Sequence, residues 1–558
     1  MMLNDLKKCR FPDWILLVSL VLTGGFFEYV SCALSAAMCL YLLIRMGKTG
    51  KLLIAKDIWT SVAVAVSIGY GLTCFWAVDR GMAVIGFFKF LPLFLYMICL
   101  RQEESTHAVV QVLPVWGAVM AVLSAIGMHL PVVDQLFAVS GRLAGFFQYP
   151  NTFAVFLLVC QLLVLKKEGK GVWDYVLMAA LIAALLYTGS RTAFVVAALA
   201  NAAMLLTVTG KKARRILLIC MAAVVLIVGI LALNKDSVLN RYLNISLTQS
   251  TFVGRVLYWV DALPLLLRYP FGMGYMGYFY IQGSVQTGVY SVAYTHNDFL
   301  QLLLDVGFVP AVLFIGALVG WFFRKRIPVA DKIMVGAICL HSFFDFDLQY
   351  IGIFMLLLLL VSRRENKPDL KCKAKLPGKV LTVAVAVAAL YMGTALALSG
   401  FGATGAADAL YPYDTRNMLT MLEQAKDMEE ADTLADRLLQ QNTHYYAPYT
   451  VKAKKSYSQG DITQMARYKQ MIFQRNPFDH REYEEYCQML MQCWQMYQKA
   501  GNTQSAKVCV DEIVAAQKAL AANKEKLSAL GRMIQDQPTT VLSEEVRRFI
   551  TQNKGGAN

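Results

Sequence analysis

The sequence predicts an all-α protein in which a polytopic membrane domain is followed by a smaller soluble helical domain. Of the 558 residues, 57% are hydrophobic and only 16% are charged, whereas soluble domains carry about a quarter charged residues. Apolar runs close to the roughly 20 residues that cross a bilayer recur throughout residues 1–400. These observations predict about 12 to 13 transmembrane helices in residues 1–400 and exclude an ordinary soluble globule.

The apolar runs define the predicted spans in chain order. They lie at 13–29, 31–45, 57–77, 82–100, 108–130, 150–165, 172–189, 192–209, 215–233, 300–323, 330–346, 348–362 and 379–399. The cations Lys7, Lys8 and Arg10 before the first run resemble the start of a signal peptide. The many spans that follow favour an uncleaved first helix instead.

Lysine and arginine clusters occupy every second loop between these spans. They lie at 7–10, 45–51, 101, 166–170, 211–215, 324–326 and 363–379. The positive-inside rule assigns such loops to the cytoplasm. The N-terminus is therefore predicted to be cytoplasmic, and the long loop 234–296 and the tail after the last span to lie outside. These loops also explain the net charge of +15, so we expect no nucleic-acid partner.

Residues 401–558 are predicted to form the soluble helical domain, because polar residues replace the apolar runs there. Three residue pairs recur at a spacing of 34, namely Leu438 and Ile472, Asn442 and Asn476, and Tyr449 and Tyr483. This is the period of a tetratricopeptide helix pair, which stacks into a concave binding surface. A generic helical bundle is the alternative. Three cysteines of the tail are either disulfide-bonded or free thiols, namely Cys487, Cys493 and Cys509.

Two arginines near the predicted membrane surface are candidate site residues. Arg191 follows Gly189-Ser190 between two spans that are joined by almost no loop, so its guanidinium lies at a defined depth. Arg255 is four residues before Trp259, which places both side chains on one face of a helix. Ionisable groups at a membrane are functional candidates. For Arg191, binding to helix-end carbonyl groups is an equally weighted alternative.

The end of the long loop adds a turn and a histidine. Gly272 and Gly274 follow Pro270 in a turn whose glycines allow close backbone approach, with an ordinary loop turn as the alternative. His296 precedes Asn297, a residue type that caps helices, and an imidazole there can accept a proton at neutral pH. Its alternative is a polar interface residue. Further along, Asp345 and Asp347 have the spacing of a weak divalent-cation candidate.

Several of these residues fall into motifs that occur in a fixed order. The motifs are Gly141-Arg142 with Gly145 and Pro150-Asn151, Ser190-Arg191, Gly254-Arg255-x-x-x-Trp259, Pro270-x-Gly272-x-Gly274, and His296-Asn297 with Leu300-Gln301 and Gly307. Their order and the long loop between spans resemble the O-antigen ligase family, which includes related polysaccharide polymerases. The resemblance extends over roughly residues 10 to 365.

The resemblance implies a glycosyltransferase of the GT-C type in the bacterial cytoplasmic membrane. Such an enzyme moves a glycan from an undecaprenyl-diphosphate carrier to an acceptor hydroxyl, without a metal or other cofactor. By this resemblance Arg191 and Arg255 bind the diphosphate, and His296 helps to activate the hydroxyl. Further substrate contacts are assigned to Arg142, Trp259, Gly272, Gly274 and Asn297.

Two other functions compete with glycan ligation. A polymerase would extend the glycan on its own carrier by the same chemistry. A transporter or flippase would use the intramembrane cations to line a path, but such folds have internal repeats, and the sequence of the membrane half contains no clear repeat. The tail is predicted to bind a glycan, lipid or protein acceptor, or another protein of envelope assembly.

Overall fold

The computed structural model describes residues 5–103, 108–207, 210, 214–215, 230, 238–243, 245–246, 248–362 and 369–553. These residues are mostly helical, and the strands among them form two short antiparallel sheets. Five described helices are long and apolar enough to cross a membrane, and seven shorter ones are also apolar. The predicted all-α class of a polytopic membrane protein is confirmed.

The chain divides into two compact units. The first unit comprises Met1–Leu72, Val84–Ile245 and His296–Gly400, and the second comprises Thr73–Ala83, Ser246–Thr295 and Phe401–Asn558. The second unit therefore groups the tail with most of the predicted long loop and with a short segment between two apolar helices. The predicted two domains, residues 1–400 and 401–558, stay a prediction.

The first unit contains most of the apolar helices. Those with residues in this unit are Phe11–Val21, Glu28–Thr49, Ile58–Thr73, Arg80–Arg101, Ala108–Gly127, Asp134–Phe137, Pro150–Lys166, Val172–Tyr187, Arg191–Thr207, Asp298–Val306, Phe308–Phe322, Val329–Ser342, Ile351–Ser362 and Leu376–Gly400, with 3-10 turns at Thr23–Gly25, Gly145–Phe147, Val238–Tyr242 and Asp347–Gln349. The strand Lys51–Ala55 pairs with Asp369–Lys373, and Ala138–Val139 pairs with Arg142–Leu143.

Most predicted spans correspond to these helices, with several differences. The span 13–29 is interrupted, because the helix Phe11–Val21 ends before a 3-10 turn and the next helix begins at Glu28. The span 300–323 is two helices, because Gly307 adopts a φ of 80° between them. The helix Ser250–Arg268 is long and apolar enough to cross a membrane, although the sequence reading placed it within the polar loop 234–296. Its charged residues Arg255, Asp261 and Arg268 interrupt the apolar pattern. The span 215–233 lies outside the described residues, apart from positions 215 and 230.

The second unit is built mainly from the tail. Its helices are Ser250–Arg268, Gly277–Ile281, Thr404–Leu410, Thr415–Glu423, Met428–Gln441, Ala447–Ser458, Ile462–Arg475, His480–Lys499, Thr503–Ala522 and Glu544–Asn553, with a 3-10 turn at Gln282–Ser284. In the largest hydrophobic core of the tail, its last helices pack against one another. This core contains Cys487, Cys493 and Cys509, which are buried. All three are free thiols and not disulfide-bonded.

The spacing of 34 residues recurs in the helix ends of the tail. Asp427 and Asp461 each cap a helix by accepting a backbone N–H three residues further on. The two helices, Met428–Gln441 and Ile462–Arg475, end at Asn442 and Asn476, which both have a φ of −144°. The repeated residues thus lie at equivalent helix ends. The tetratricopeptide assignment itself stays a prediction.

Candidate functional site

His296 lies two residues before the start of the helix Asp298–Val306 and has a left-handed conformation, with a φ of 53°. The side-chain Oδ1 of Asn297 accepts hydrogen bonds from the backbone N–H groups of Phe299 and Leu300, both at 3.1 Å. The predicted helix start and cap are therefore confirmed. This capped start fixes the backbone that carries the imidazole, while the assigned substrate contact of Asn297 stays a prediction.

The imidazole of His296 faces the buried carboxylate of Asp345. Its Nδ1 lies 3.2 Å from Oδ1 of Asp345, and the two side chains are 22% and 0% exposed. Phe346 packs against the imidazole edge to face, with ring centroids 5.0 Å apart. A carboxylate opposite Nδ1 favours the tautomer that carries its proton on Nδ1, which leaves the lone pair on Nε2. The pair thus presents a base at a partly exposed position.

Three further donors hold the carboxylate of Asp345. The hydroxyl of Tyr149 and the backbone N–H of Phe346 donate to Oδ1, at 2.9 and 3.0 Å, and Nδ2 of Asn151 donates to Oδ2 at 2.7 Å. The ring of Phe346 also stacks on that of Tyr149, with centroids 4.7 Å apart. Hydrogen bonds to both of its oxygens therefore hold the carboxylate that faces His296 in position.

Asn151 connects this cluster to Arg142 and to the turn before Arg191. The Oδ1 of Asn151 accepts a hydrogen bond of 2.6 Å from Arg142, whose Nε donates to the Thr188 carbonyl at 2.7 Å. Thr188 directly follows one helix, and Arg191 begins the next three residues later. The predicted short connection is confirmed. A continuous chain of hydrogen bonds thus joins His296 to the turn that positions Arg191.

A second arginine reinforces this turn. Nε of Arg241 donates to the carbonyl of Gly189 at 3.2 Å, and Gly189 itself has a φ of 60°, which favours glycine. Burial, and then the charge of Arg241, lower the pKa of Arg142 to about 10. Two guanidinium groups therefore concentrate positive charge where the helix of Arg191 begins.

The two aspartates that the sequence indicates as candidate cation ligands each pair with a different histidine. Asp347 lies 2.6 Å from Nδ1 of His341 and accepts a hydrogen bond from Thr152, whereas Asp345 faces His296. Across the part of the chain that the structure describes, no group of three or more potential metal ligands occurs. Catalysis without a metal or other cofactor stays a prediction.

Arg255 and Trp259 belong to the second unit. They lie one turn apart on the helix Ser250–Arg268, as their spacing predicts. The indole Nε1 of Trp259 donates a hydrogen bond of 2.9 Å to the carbonyl of Thr295. Trp259 thus holds the residue that directly precedes His296 in the chain. Its assigned substrate contact stays a prediction.

The glycine turn of the second unit packs against the segment Thr73–Ala83. Gly272 and Gly274 have φ values of 87° and 84°, and the indole of Trp76 donates to the carbonyl of Gly272 at 3.1 Å. A Cβ on Gly274 would lie 2.6 Å from that of Ala77. Turn geometry and close packing account for both glycines, and their substrate contacts stay predictions.

The sequence reading missed Tyr149, Arg241 and the function of Asp345 in this cluster. Tyr149 directly precedes the Pro150-Asn151 motif, which was the available signal for it. For Asp345, the sequence indicates only a possible cation ligand. Its actual partner, His296, is 49 positions away in the chain, so local spacing could not indicate the pair.

Two comparisons with known proteins bear on the cluster. A search of curated proteins finds no match to the chain. Residues 176–315 match the family model described as O-antigen ligase. The matched segment contains Arg191, Arg255 and His296, whereas Arg142 and Asp345 lie outside it. The match supports an O-antigen ligase or polymerase type of function, in general, for this membrane protein.

Proposed function

We propose that this protein transfers a glycan from an undecaprenyl-diphosphate carrier to the hydroxyl group of an acceptor. The reaction takes place at the outer face of the bacterial cytoplasmic membrane, during assembly of a surface polysaccharide. The pairing of His296 with Asp345, inside and beside the segment that matches the O-antigen ligase family, is the observation that carries this proposal.

His296 acts as the general base in this proposal. A sugar hydroxyl is a weak nucleophile, and removing its proton during attack accelerates such a step by about 100- to 10,000-fold. Nε2 takes the proton as the acceptor oxygen bonds to the anomeric carbon. The bond from that carbon to the diphosphate oxygen breaks, and the configuration inverts. Asp345 keeps the imidazole oriented and stabilises its charge once it is protonated.

Arg191 and Arg255 bind the diphosphate leaving group. Arginine stays charged in proteins, and its planar fork matches two phosphate oxygens at once. Arg142, Trp259, Gly272, Gly274 and Asn297 complete the proposed substrate contacts. Charge on the departing diphosphate is then stabilised by guanidinium groups, and no metal ion is required.

The identity of the acceptor separates ligation from polymerisation. A ligase transfers the glycan to a different molecule, whereas a polymerase transfers it to another carrier-linked glycan. The tail lies outside the segment matched to the family, and in this proposal it is a binding module for the acceptor or for an envelope-assembly partner.

The test is a transfer assay with purified full-length protein, a labelled undecaprenyl-diphosphate glycan and a set of candidate acceptors. We expect a labelled acceptor and free undecaprenyl diphosphate, with both products lost in Arg191→Ala and Arg255→Ala. The matched control is Arg467→Ala, which removes an exposed arginine of the tail. Growth of the carrier-linked glycan alone would indicate a polymerase. Movement of the donor across liposomes without transfer would indicate a flippase and contradict the proposal.

A further inference from the structure

The second unit contains a cleft that the proposed chemistry does not use. Its volume is about 400 Å³, within the range of roughly 300–1,000 Å³ that is usual for small-molecule sites. One wall comes from the segment 279–291 of the predicted long loop. The other comes from the turns of the tail at 445–446 and 475–481. Because Asn442 and Asn476 start these two turns, the 34-residue repeat places equivalent turns along one wall.

The two walls of the cleft are fixed to each other. A Cβ on Gly283 would lie only 1.8 Å from the carbonyl oxygen of Arg475, so the loop and the tail approach as closely as glycine allows. Thr287 donates from its hydroxyl to Oγ of Ser528 at 2.9 Å, and the backbone N–H of Ser528 donates back to the Thr287 carbonyl at 3.0 Å. A ligand therefore meets a cleft that is already formed, which lowers the entropic cost of binding.

Aromatic rings line the cleft from both walls. Tyr445 of the tail packs against Phe279 and Tyr280 of the loop, with ring centroids 5.9 and 5.4 Å apart. Tyr446 follows at 5.0 Å from Tyr445. Phe279, Tyr445 and Tyr446 are only partly buried. Their remaining exposed ring surface offers flat apolar faces to a ligand.

Planar polar groups of both charges lie beside these rings. Arg475 is held over the ring of Tyr449 at 4.6 Å and donates to the Thr443 carbonyl at 2.8 Å. Asp479 accepts two hydrogen bonds from the guanidinium of Arg481, at 3.0 and 3.1 Å, and a third from the backbone N–H of Arg481 at 3.2 Å. A guanidinium and a carboxylate can each engage two neighbouring hydroxyl groups of a ligand.

We propose that this cleft binds a segment of the glycan chain. A sugar ring has an apolar face of C–H groups and an edge of hydroxyl groups, and the cleft offers aromatic faces beside donors and acceptors. The two arginines and two aspartates of the lining balance in formal charge, so the cleft is not selective for a phosphate-bearing ligand. Extended peptides are commonly bound along a strand edge, and the described residues of this unit contain no strand. The assignment to a glycan rests on the proposed function.

This inference gives the tail a function in the reaction. The loop that forms one wall lies within the segment matched to the O-antigen ligase family, and the tail forms the other wall. Neither wall forms the cleft alone. The tail therefore completes a binding site for the glycan and keeps it engaged during transfer.

The experiment measures binding of the full-length protein, in detergent, to an array of immobilised bacterial surface oligosaccharides and to a peptide array. Tyr445→Ala removes the central ring, and Arg481→Ala removes an exposed polar group of the cleft. We expect each to weaken glycan binding about tenfold. The controls are Tyr413→Ala and Arg467→Ala, which remove exposed side chains outside the cleft lining and should bind like the wild type.

Two results would overturn the inference. One is a wild-type protein that binds no glycan, or cleft variants that bind glycans as well as the wild type does. The other is peptide binding that is lost in Tyr445→Ala, which would identify a peptide as the occupant. His296→Ala separates this inference from the proposed function, because it should lose transfer and keep glycan binding. If no transfer is found but glycan binding depends on Tyr445, the proposed function fails and the cleft assignment stands.

Discussion

Nδ1 of His296 lies 3.2 Å from Oδ1 of Asp345, a carboxylate whose side chain is fully buried. The histidine side chain keeps 22% of its surface exposed, so the pair connects a buried anion to an imidazole that a substrate can reach. Tyr149 and Asn151 fix the anion, and Asn151 continues to Arg142. His296 and the turn before Arg191 are thus parts of one hydrogen-bonded cluster.

Replacing Asp345 with Asn keeps the size of the side chain and removes the charge that faces the imidazole. We expect the turnover number to fall roughly 100- to 10,000-fold, as when an orienting aspartate is lost elsewhere, with little change in KM. Steady-state transfer assays provide the measurement. The control is Asp134→Asn, at an exposed position of the same unit. Equal turnover in the two variants would remove Asp345 from the mechanism.

Asn151→Ala should weaken both the proposed activity and the fold of the first unit. The substitution deletes the hydrogen bonds to Asp345 and Arg142, at 2.7 and 2.6 Å. Leaving such groups unpaired costs roughly 1–3 kcal/mol. Thermal unfolding in detergent should show a lower Tm, and Asn151→Asp should lose more activity than Asn151→Ala because it places a second carboxylate against Asp345. Activity equal to the wild type in both variants would contradict this.

Asp79 should hold the segment Thr73–Ala83 to the tail within the second unit. Its buried carboxylate accepts hydrogen bonds from Thr415, Gln441 and Asn442, at 2.6, 2.9 and 3.0 Å. Asp79→Ala removes the acceptor from these donors, at a cost of about 1–3 kcal/mol for each buried donor left unpaired. Limited proteolysis should cleave the tail faster than in the wild type.

Two single glycine substitutions test the same packing of the segment Thr73–Ala83 against the tail. A Cβ on Gly81 would lie 1.9 Å from the carbonyl oxygen of Tyr413, whereas one on Gly405 has no neighbour within 4 Å. Gly81→Ala should therefore increase proteolysis of the tail, and Gly405→Ala should not. Equal resistance in both variants would show that this contact does not hold the segment in place.

The stability of the tail should fall in acid through Glu485. Burial raises the pKa of Glu485, but its hydrogen bond to Lys469 and the charges of Lys469 and Lys454 hold that pKa below the ordinary 4.5. Because the folded-state pKa is depressed, the stabilisation is present above about pH 4.5 and is lost as the pH falls through the folded value. The side chain of Lys469 is fully buried and forms ion pairs with both Glu482 and Glu485.

Hydrogen exchange of tail peptides, followed from pH 7 to well below about pH 4, measures this loss. Because exchange itself slows in acid, protection is compared with that of unfolded reference peptides at each pH. We expect protection of the helix His480–Lys499 to decrease with acid in the wild type and to change less in Glu485→Gln, which is already without the charge. A wild-type profile identical to that of Glu485→Gln would exclude this origin of acid sensitivity.

The sequence predicted those features that depend on neighbouring residues. Apolar runs located most helices, the Asn297 cap marked a helix start, and the spacing of 34 residues recurred in the helix ends of the tail. Features that depend on distant residues were missed. The strand Lys51–Ala55 pairs with Asp369–Lys373, and Asp345 pairs with His296, because tertiary packing brings together segments that no local pattern connects. The charged residues of Ser250–Arg268 likewise interrupt its apolar pattern. The sequence therefore did not indicate that this helix is long and apolar enough to cross a membrane.

The most direct test of the account is the single-turnover rate of glycan transfer by His296→Ala, measured with donor binding in the same protein. The account predicts a loss of about 100- to 10,000-fold in rate with donor binding unchanged. His129→Ala, which removes an exposed histidine of the first unit, should keep the wild-type rate. A His296→Ala protein that transfers the glycan at the wild-type rate would contradict the assignment of His296 as the base.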